Sequence, residues 1–122
     1  MKPETKFYAQ VKKNISSIDW IRLENMALSG TPDLLGYNNN GHFFTVELKY
    51  TKNNKIKFSP HQIAFHVKHP KNTFIMVFDA RDKMPKLYTG KNIKDLVSGG
   101  LVHEPMHQGF NNIEKFFNTL VA

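Results

Sequence analysis

The residues Asn38 to Gly41, "NNNG", constrain the fold most strongly, because they separate two short apolar segments by a tight turn. Asn and Gly tolerate the positive φ angles that hairpin turns require. The segments on either side, "DLLGY" and "HFFTVELKY", are rich in the aromatic and β-branched residues typical of strands. We therefore predict an antiparallel hairpin whose second strand spans His42 to Tyr50.

The rest of the chain alternates between helical and strand patterns. Before the hairpin we predict a helix over Glu4–Asn14 and a strand over Ile18–Met26. After it, Ser59, Pro60 and Gln62 have the spacing of a capping box with proline at the first helical position. Ile63 and Val67 lie one turn apart and are predicted to form the apolar side of that helix.

The C-terminal half adds two strands and two helices. Asn72–Ala80 has the continuous apolar character of a central strand that is covered on both faces. A short strand "KLYTG" and a short helix over Lys91–Val97 follow, and the last helix places four apolar side chains on one face: Phe110, Ile113, Phe117 and Leu120. We predict an α/β fold with a mixed central sheet of about four to five strands flanked by helices, in a single domain covering 1–122.

Three charged residues lie in the predicted hairpin, where a buried charge is costly unless it is paired or bound. Glu47 and Lys49 are two residues apart on one strand and therefore project to the same face. If the turn is centred on "NNNG", Asp33 lies opposite about Val46, one residue from Glu47. The hairpin thus predicts that two carboxylates and a lysine lie close together.

Two carboxylates at a sheet edge form a good site for Mg²⁺, which binds substrate phosphate oxygens and lowers the pKa of a bound water. A neighbouring lysine can orient or deprotonate that water and neutralise developing charge. The same residues also allow a simpler interpretation, in which Glu47 and Lys49 form an exposed ion pair and Asp33 caps a turn. The pattern of these residues alone leaves both interpretations open.

The composition favours a polyanionic partner. Seventeen Lys and Arg against ten Asp and Glu give a formal net charge of +7, which is typical of nucleic-acid-binding proteins. Four of the lysines follow the acids directly: Lys49, Lys52, Lys55 and Lys57. The chain has no cysteine, which excludes disulfides and thiolate metal sites. It also lacks the apolar segment of a signal peptide or membrane span, so we expect an unprocessed cytoplasmic protein without a membrane partner.

A longer motif resembles a known enzyme family. "GTPDLL" followed by "TVELK" resembles the signature of the PD-(D/E)XK nuclease superfamily, with Pro32-Asp33 as its first half and Glu47-Leu48-Lys49 as its second. The wider order "RLEN…SGTPDLLG…FFTVELK…KFSPHQIAFH" is similar to the virus-type replication-repair nuclease (VRR-NUC) branch and to small phage and archaeal Holliday-junction resolvases. The resemblance covers about residues 20 to 80 and leaves both ends of the chain unassigned.

This resemblance implies a restriction-endonuclease-like core of order αβββαβ and a set of site residues. It implies Asp33, Glu47 and the backbone carbonyl of Leu48 as ligands of Mg²⁺, for which Mn²⁺ can substitute, and Lys49 as the residue acting on the nucleophilic water. Glu24 matches an additional acidic position of catalytic or metal-binding type. Family members often place that acid on the first helix, so Glu4 is an alternative. Gln62 matches a polar position near the metal, although its capping-box role is a sufficient explanation by itself.

The functional expectation is a metal-dependent DNA endonuclease that acts on branched DNA such as a Holliday junction, in a bacterial or phage-infected cell. Five further residues are expected to contact the nucleic acid: Lys52, Lys55, Lys57, Ser59 and Arg22. Cutting two symmetry-related strands calls for a two-fold homodimer, with the Phe-rich C-terminal helix as a candidate interface. Phe110, Phe116 and Phe117 are expected to pack either in the core or at such an interface. The alternatives are a nuclease of other specificity (nicking, flap or restriction-like) and a nucleic-acid-binding module without catalysis.

Three histidines share the helix after Ser59, and they are the remaining candidates for metal ligands. His61, His66 and His69 have no carboxylate at helical spacing and no cysteine to complete a zinc site. We therefore expect these histidines to be solvated or to face phosphate.

Overall fold

The computed structural model describes residues 2–23 and 30–121. Its helices and strands follow in the order α1 Pro3–Asn14, β1 Asp19–Arg22, β2 Leu34–Tyr37, β3 Phe43–Thr51, α2 Pro60–Lys68, β4 Thr73–Asp79, β5 Met84–Thr89, α3 Ile93–Gly99, β6 His107–Gln108 and α4 Phe110–Phe117. Single 3₁₀ turns flank α3 on both sides. No helix in these described ranges is both long enough and apolar enough to cross a membrane.

The strands form one mixed sheet in the order β1-β2-β3-β4-β5-β6. Among the strands of the described residues, only β3 and β4 pair in parallel, because α2 carries the chain back across the sheet between them. The predicted α/β architecture and the αβββαβ core are thus confirmed. The sheet has one strand more than expected, since β6 contributes only His107 and Gln108 beside β5 and is too short to produce a sequence pattern.

The hairpin forms at "NNNG" as predicted, with a register one residue away from the expected one. Leu34 pairs with Val46, and continuing the ladder by one step places Asp33 opposite Glu47 rather than Val46. The turn is held by Asn38, whose side-chain oxygen accepts hydrogen bonds from the N–H groups of Asn40 and His42 at 2.9 and 3.0 Å. The observed register brings the two carboxylates closer than the predicted one.

Helices cover both faces of the sheet. Helices α1 and α4 cover one face through a cluster that includes Phe7, Val11, Ile113 and Phe117. The other face packs against the α2–α3 side through Ile75, Val77, Ile93 and Leu96, among others. Strand β4 is buried from both sides, as its unbroken apolar sequence predicts. Because registered partners share a face, Glu47 and Lys49, paired with Ile75 and Val77, project toward α2.

Two local predictions are wrong. Val67 is half-exposed, whereas His66 is the fully buried residue of α2, because α2 rests on the sheet along a line through Ile63 and His66. The aromatic face of α4 packs inside the chain, with Phe117 buried and Phe110 and Phe116 against the same cluster. Of the two roles expected for these aromatic side chains, core packing is therefore confirmed, and the candidate subunit interface is wrong. The strand predicted over Ile18–Met26 is observed at Asp19–Arg22, and its last residues lie outside the described ranges.

Candidate active site

The Asp33 side chain supplies a hydrogen-bond acceptor at the end of the β2–β3 hairpin, where backbone pairing stops. Strand β2 begins at Leu34, so the N–H of Leu48 on β3 has no backbone partner there. The Asp33 carboxylate supplies one, accepting a hydrogen bond from the Leu48 N–H at 2.7 Å. Because the N–H and C=O groups of one strand residue point to the same side, the Leu48 carbonyl faces the same edge as the Asp33 carboxylate. The hairpin thus gathers carboxylate and carbonyl oxygens at one point.

Glu47 is a buried carboxylate whose hydrogen bonding is incomplete. It is 2% exposed, and its Oε1 atom has no hydrogen-bond partner among the described residues. Burial, followed by the nearby charge of Asp33, raises the pKa of Glu47 to about 9, although the Lys49 ammonium acts in the opposite direction. Two carboxylates this close favour sharing one proton or binding a cation.

Gln62 connects Glu47 to Lys49 from the first turn of α2. Its side-chain Nε2 donates to Glu47 Oε2 at 3.1 Å, and its Oε1 accepts from Lys49 Nζ at 2.8 Å. The same Oε1 accepts from the Ser59 N–H, and Ser59 Oγ accepts from the Gln62 N–H, which completes the predicted capping box. The two roles considered for Gln62, capping and contact with the acidic site, are therefore both filled by one side chain.

Gly30 allows the segment before Asp33 to approach the start of α2 closely. Its φ angle is +86°, and a Cβ atom at this position would lie 2.3 Å from the His61 carbonyl oxygen. A larger residue would be strained by its backbone and would collide with a backbone atom that cannot move aside. The close approach sets the distance between the hairpin, which carries Asp33, and the helix that carries Gln62.

The lysine loop, defined as residues 52–57 between β3 and α2, borders a cavity of about 430 Å³ beside Lys49. Lys52, Lys55 and Lys57 line this cavity together with Lys49 and Glu4. The loop is held by a backbone hydrogen bond, in which the Asn54 carbonyl accepts from the Leu101 N–H at 2.8 Å. A Cβ atom on Gly100 would lie 1.9 Å from the same carbonyl oxygen, so glycine is required for this contact. The predicted cationic cluster therefore lies beside Lys49 and Glu4.

A second, smaller cavity of about 40 Å³ lies against Asp33 and Leu48, and Glu4, Tyr8 and Arg22 complete its wall. Glu4 is also near enough to Glu47 to contribute to its raised pKa. The first helix thus brings a third carboxylate to the site, at the position that was the weaker alternative in the sequence. Glu24 lies outside the described residues, so its predicted role stays a prediction.

His66 does not match its sequence-based expectation. It is fully buried, and neither ring nitrogen has a hydrogen-bond partner among the described residues. Burial, with a smaller effect of the Lys49 charge, lowers the pKa of His66 to about 4, so the ring is neutral near pH 7. His61 and His69 are exposed as expected. No group of three or more His, Asp or Glu side chains within 2–23 and 30–121 is arranged to hold a metal ion by itself.

The available ligands at this site are therefore two carboxylates, Asp33 and Glu47, with the Leu48 carbonyl beside them. This set fits Mg²⁺, which commonly uses one or two protein carboxylates and retains several waters. The unpaired Glu47 Oε1 is a hard oxygen in need of a positive partner. The hairpin pattern predicted that Asp33 and Glu47 lie close together, whereas Leu48 as a ligand and Glu4 as an alternative acid came only from the family resemblance. The position of Tyr8 depends on how α1 packs and had no local signal.

Comparisons with known proteins agree with this geometry at the level of the fold. No family model and no curated protein sequence matches the chain. Among solved structures, a Holliday junction resolvase (Hjc) from the archaeon Archaeoglobus fulgidus superposes with a TM-score of 0.58 at 14% identity, over 74% of this chain and 75% of that one. The chain thus shares its fold with this resolvase. A bacterial homing endonuclease also matches, with a TM-score of 0.48 at 10% identity over 75% of this chain and 66% of the other.

Proposed function

We propose that this protein is a metal-dependent DNA endonuclease that hydrolyses phosphodiester bonds at the Asp33–Glu47 site. The observation that carries the proposal is the buried Glu47 carboxylate, which lacks a partner for one oxygen and lies beside a second carboxylate. An arrangement that costs the folded chain stability is typical of a functional site rather than of a structural ion pair. The fold shared with a Holliday junction resolvase supports the same class of activity.

In this proposal Asp33, Glu47 and the Leu48 carbonyl hold Mg²⁺, or Mn²⁺ in its place. When bound, the ion supplies a Lewis acid for the scissile phosphate and lowers the pKa of a water. Lys49 projects from the same strand face as Glu47, and Gln62 fixes its ammonium group by a 2.8 Å hydrogen bond. Its roles are to orient the attacking water and to neutralise charge that develops on the phosphate. Gln62 acts as a positioning residue for both.

The substrate we propose is DNA, and branched DNA in particular. The lysine loop offers Lys52, Lys55 and Lys57 in one cavity with Lys49, where phosphates on one side of the cleaved bond would lie. Ser59 lies at the end of that loop, where the positive end of the α2 dipole favours a phosphate. The preference for a junction rests on the likeness to the archaeal resolvase.

A resolvase that cuts two symmetry-related strands needs two sites, so we propose a two-fold homodimer. The α4 aromatic face is buried in the chain and does not supply the interface. Three large apolar side chains remain exposed on one face of the β1–β2–β3 sheet, namely Ile21, Tyr37 and Phe43. This exposed face is where we expect a second copy to pack. A Phe43→Asp variant that stays folded and becomes monomeric by sedimentation would support this arrangement.

The test of the function is cleavage of a four-way junction, a flap, a nicked duplex and a linear duplex of matched sequence, each with Mg²⁺ or with EDTA. We expect Mg²⁺-dependent cutting of the junction by the wild type. Asp33→Asn and Lys49→Ala should each lower the cutting rate at least a hundredfold while junction binding persists. Lys68→Ala, which changes an exposed lysine on α2 far from the acids, is the matched control and should cut normally.

Each outcome separates the alternatives. Preferential cutting of the flap or the nicked duplex would assign a nuclease of other specificity. Binding without cutting by the wild type in any metal would assign a non-catalytic module. Full activity of Asp33→Asn would remove the proposed site.

A further inference from the structure

A second basic groove lies on α1, beyond the acids as seen from the lysine loop. This α1 groove has a volume of about 540 Å³ and is lined by Thr5, Tyr8, Ala9, Lys12, Lys13 and Arg22. It meets the small cavity beside Asp33, since Tyr8 and Arg22 line both. Glu4 in turn lines both that cavity and the one at the lysine loop. The three spaces therefore follow one another, with the Asp33 and Glu4 carboxylates at the middle one.

The length of helix α1 gives the distance between the acidic site and the lysines of the α1 groove. Glu4 lies beside the acids, and Lys12 follows it by two turns of the same helix, which is about 12 Å at 1.5 Å per residue. Along a DNA duplex, about 12 Å corresponds to three to four base-pair steps. A strand with its scissile phosphate at Asp33 would thus have phosphates within reach of Lys12 and Lys13.

The cations of the α1 groove are held in place without being neutralised. Lys12 Nζ lies 5.4 Å and Arg22 Cζ 5.3 Å from the centroid of the Tyr8 ring. An aromatic ring attracts a cation but leaves its full charge available to a further partner. Within 2–23 and 30–121 none of Lys12, Lys13 and Arg22 forms an ion pair with a carboxylate. By contrast, Lys86 is paired with Asp79 and Asp82.

We propose that the α1 groove binds the sugar–phosphate backbone of the DNA substrate on the side of the cleaved bond opposite to the lysine loop. The inference rests on the proposed endonuclease function and adds the second half of the DNA path. A partner with a regular row of phosphates fits better than a single anion, because three cations, from α1 and β1, line one groove and that groove continues into the cavity beside Asp33. Lys12 and Lys13 are the residues that contact phosphate, and Tyr8 positions Lys12 and Arg22.

The test compares Lys12→Ala/Lys13→Ala with Lys91→Ala/Lys94→Ala, which removes the same charge from exposed lysines at α3. Binding of a fluorescent duplex is followed by anisotropy in EDTA across a series of salt concentrations. Each lost phosphate contact lowers the slope of log K against log salt by about 0.9. The groove variant should therefore lose about 1.8 from the slope and bind about 60-fold more weakly at 0.1 M salt, whereas the control should retain the wild-type slope.

A second measurement identifies the side of the cleaved bond on which the α1 groove contacts the DNA. Phosphate-ethylation interference on a substrate with a mapped cleavage position should show contacts on both sides of that position in the wild type. In the groove variant the contacts on one side should disappear, while those assigned to the lysine loop remain.

The outcomes separate this inference from the function on which it rests. If the wild type cuts and binds DNA but the groove variant matches the control in slope and affinity, the groove does not bind the substrate and the function stands. If the wild type neither cuts nor binds DNA under any condition, both the function and the groove assignment are overturned. Loss of contacts on both sides in the groove variant would also overturn the assignment of one groove to one side.

Discussion

Replacing Glu47 by glutamine should make the metal-free protein more stable at alkaline pH while abolishing cutting. Glu47 is 2% exposed and lies beside the Asp33 carboxylate. Burial and that neighbouring charge raise its pKa from 4.5 to about 9. An amide at this position carries no charge to bury, can still accept from Gln62, and has an N–H group to offer to Asp33. The variant thus removes an unfavourable interaction and introduces a favourable one.

The sign and size of the effect follow from proton linkage. Between pH 4.5 and 9 the folded state keeps the Glu47 proton that the unfolded chain has lost, so the folded state binds more protons and stability falls as pH rises. Each pH unit in this window lowers the free energy of unfolding by about 1.4 kcal/mol. From pH 5.5 to 8.0 the wild type should therefore lose about 3 kcal/mol through this group. Glu47→Gln should not lose it.

The assay is urea unfolding in EDTA at both pH values, analysed by linear extrapolation. The single tryptophan is a suitable probe, since Trp20 packs edge-on against Phe44 and Phe117 in the core, with ring centroids 5.8 Å apart. Other titrating groups, including His66, are present in both proteins, so their contributions cancel when the two unfolding free energies are subtracted. At each pH the free energy of unfolding of the wild type is subtracted from that of Glu47→Gln. This difference should be about 3 kcal/mol larger at pH 8.0 than at pH 5.5.

Parallel pH profiles for the two proteins would refute this reasoning, because they would mean that Glu47 is ionised in the folded state at no cost. Glu104→Gln, a change at an exposed glutamate, is the control and should follow the wild type at both pH values. Saturating Mg²⁺ at pH 8.0 should raise the stability of the wild type and leave that of Glu47→Gln nearly unchanged.

Two further changes test the supporting structure. Asp79→Asn should destabilise the fold by about 2 kcal/mol at pH 7, because it removes the carboxylate that pairs with Lys86 at 2.8 Å and with Arg81 at 3.0 Å, although Lys86 keeps Asp82 as a partner; urea unfolding measures the loss. The pKa of Asp79 is lowered mainly by its hydrogen bond from the Arg81 guanidinium, so its stabilisation is complete above about pH 5 and disappears as the solution is acidified. Gln62→Ala should lower the cutting rate of the junction at least tenfold with unchanged DNA affinity, because Lys49 loses the acceptor that fixes its ammonium; single-turnover cleavage and anisotropy measure the two effects.

Matched variants control for these two changes. Asp95→Asn alters an exposed aspartate on α3 and should leave stability within about 0.5 kcal/mol of the wild type at pH 7. Gln10→Ala alters an exposed glutamine on α1 and should cut at the wild-type rate. An Asp79→Asn protein as stable as the wild type would show that the buried pair contributes nothing. A Gln62→Ala protein with normal cutting would show that Lys49 needs no positioning.

Much of the fold was predictable because its signals are local. The "NNNG" turn fixed the hairpin, the Ser59–Gln62 capping box fixed the start of α2, and the apolar segment from Asn72 fixed the central strand. Strand periodicity placed Glu47 and Lys49 on one face, and the hairpin brought Asp33 to them within one residue of the observed register. These features depend on turn chemistry and side-chain alternation, both of which are properties of short segments.

The remaining features depend on how separate elements pack, and no short segment contains that information. The sequence alone determined which carboxylates and which lysine share the site, since the hairpin joins them through a few residues. Only the tertiary structure decided that Glu4 and Tyr8 of α1 border that site, that His66 rather than Val67 is buried, and that the α4 aromatic face is internal. The physical reason is that burial and charge proximity between distant segments depend on the relative placement of whole helices on the sheet, whereas periodicity gives only the face that each helix presents.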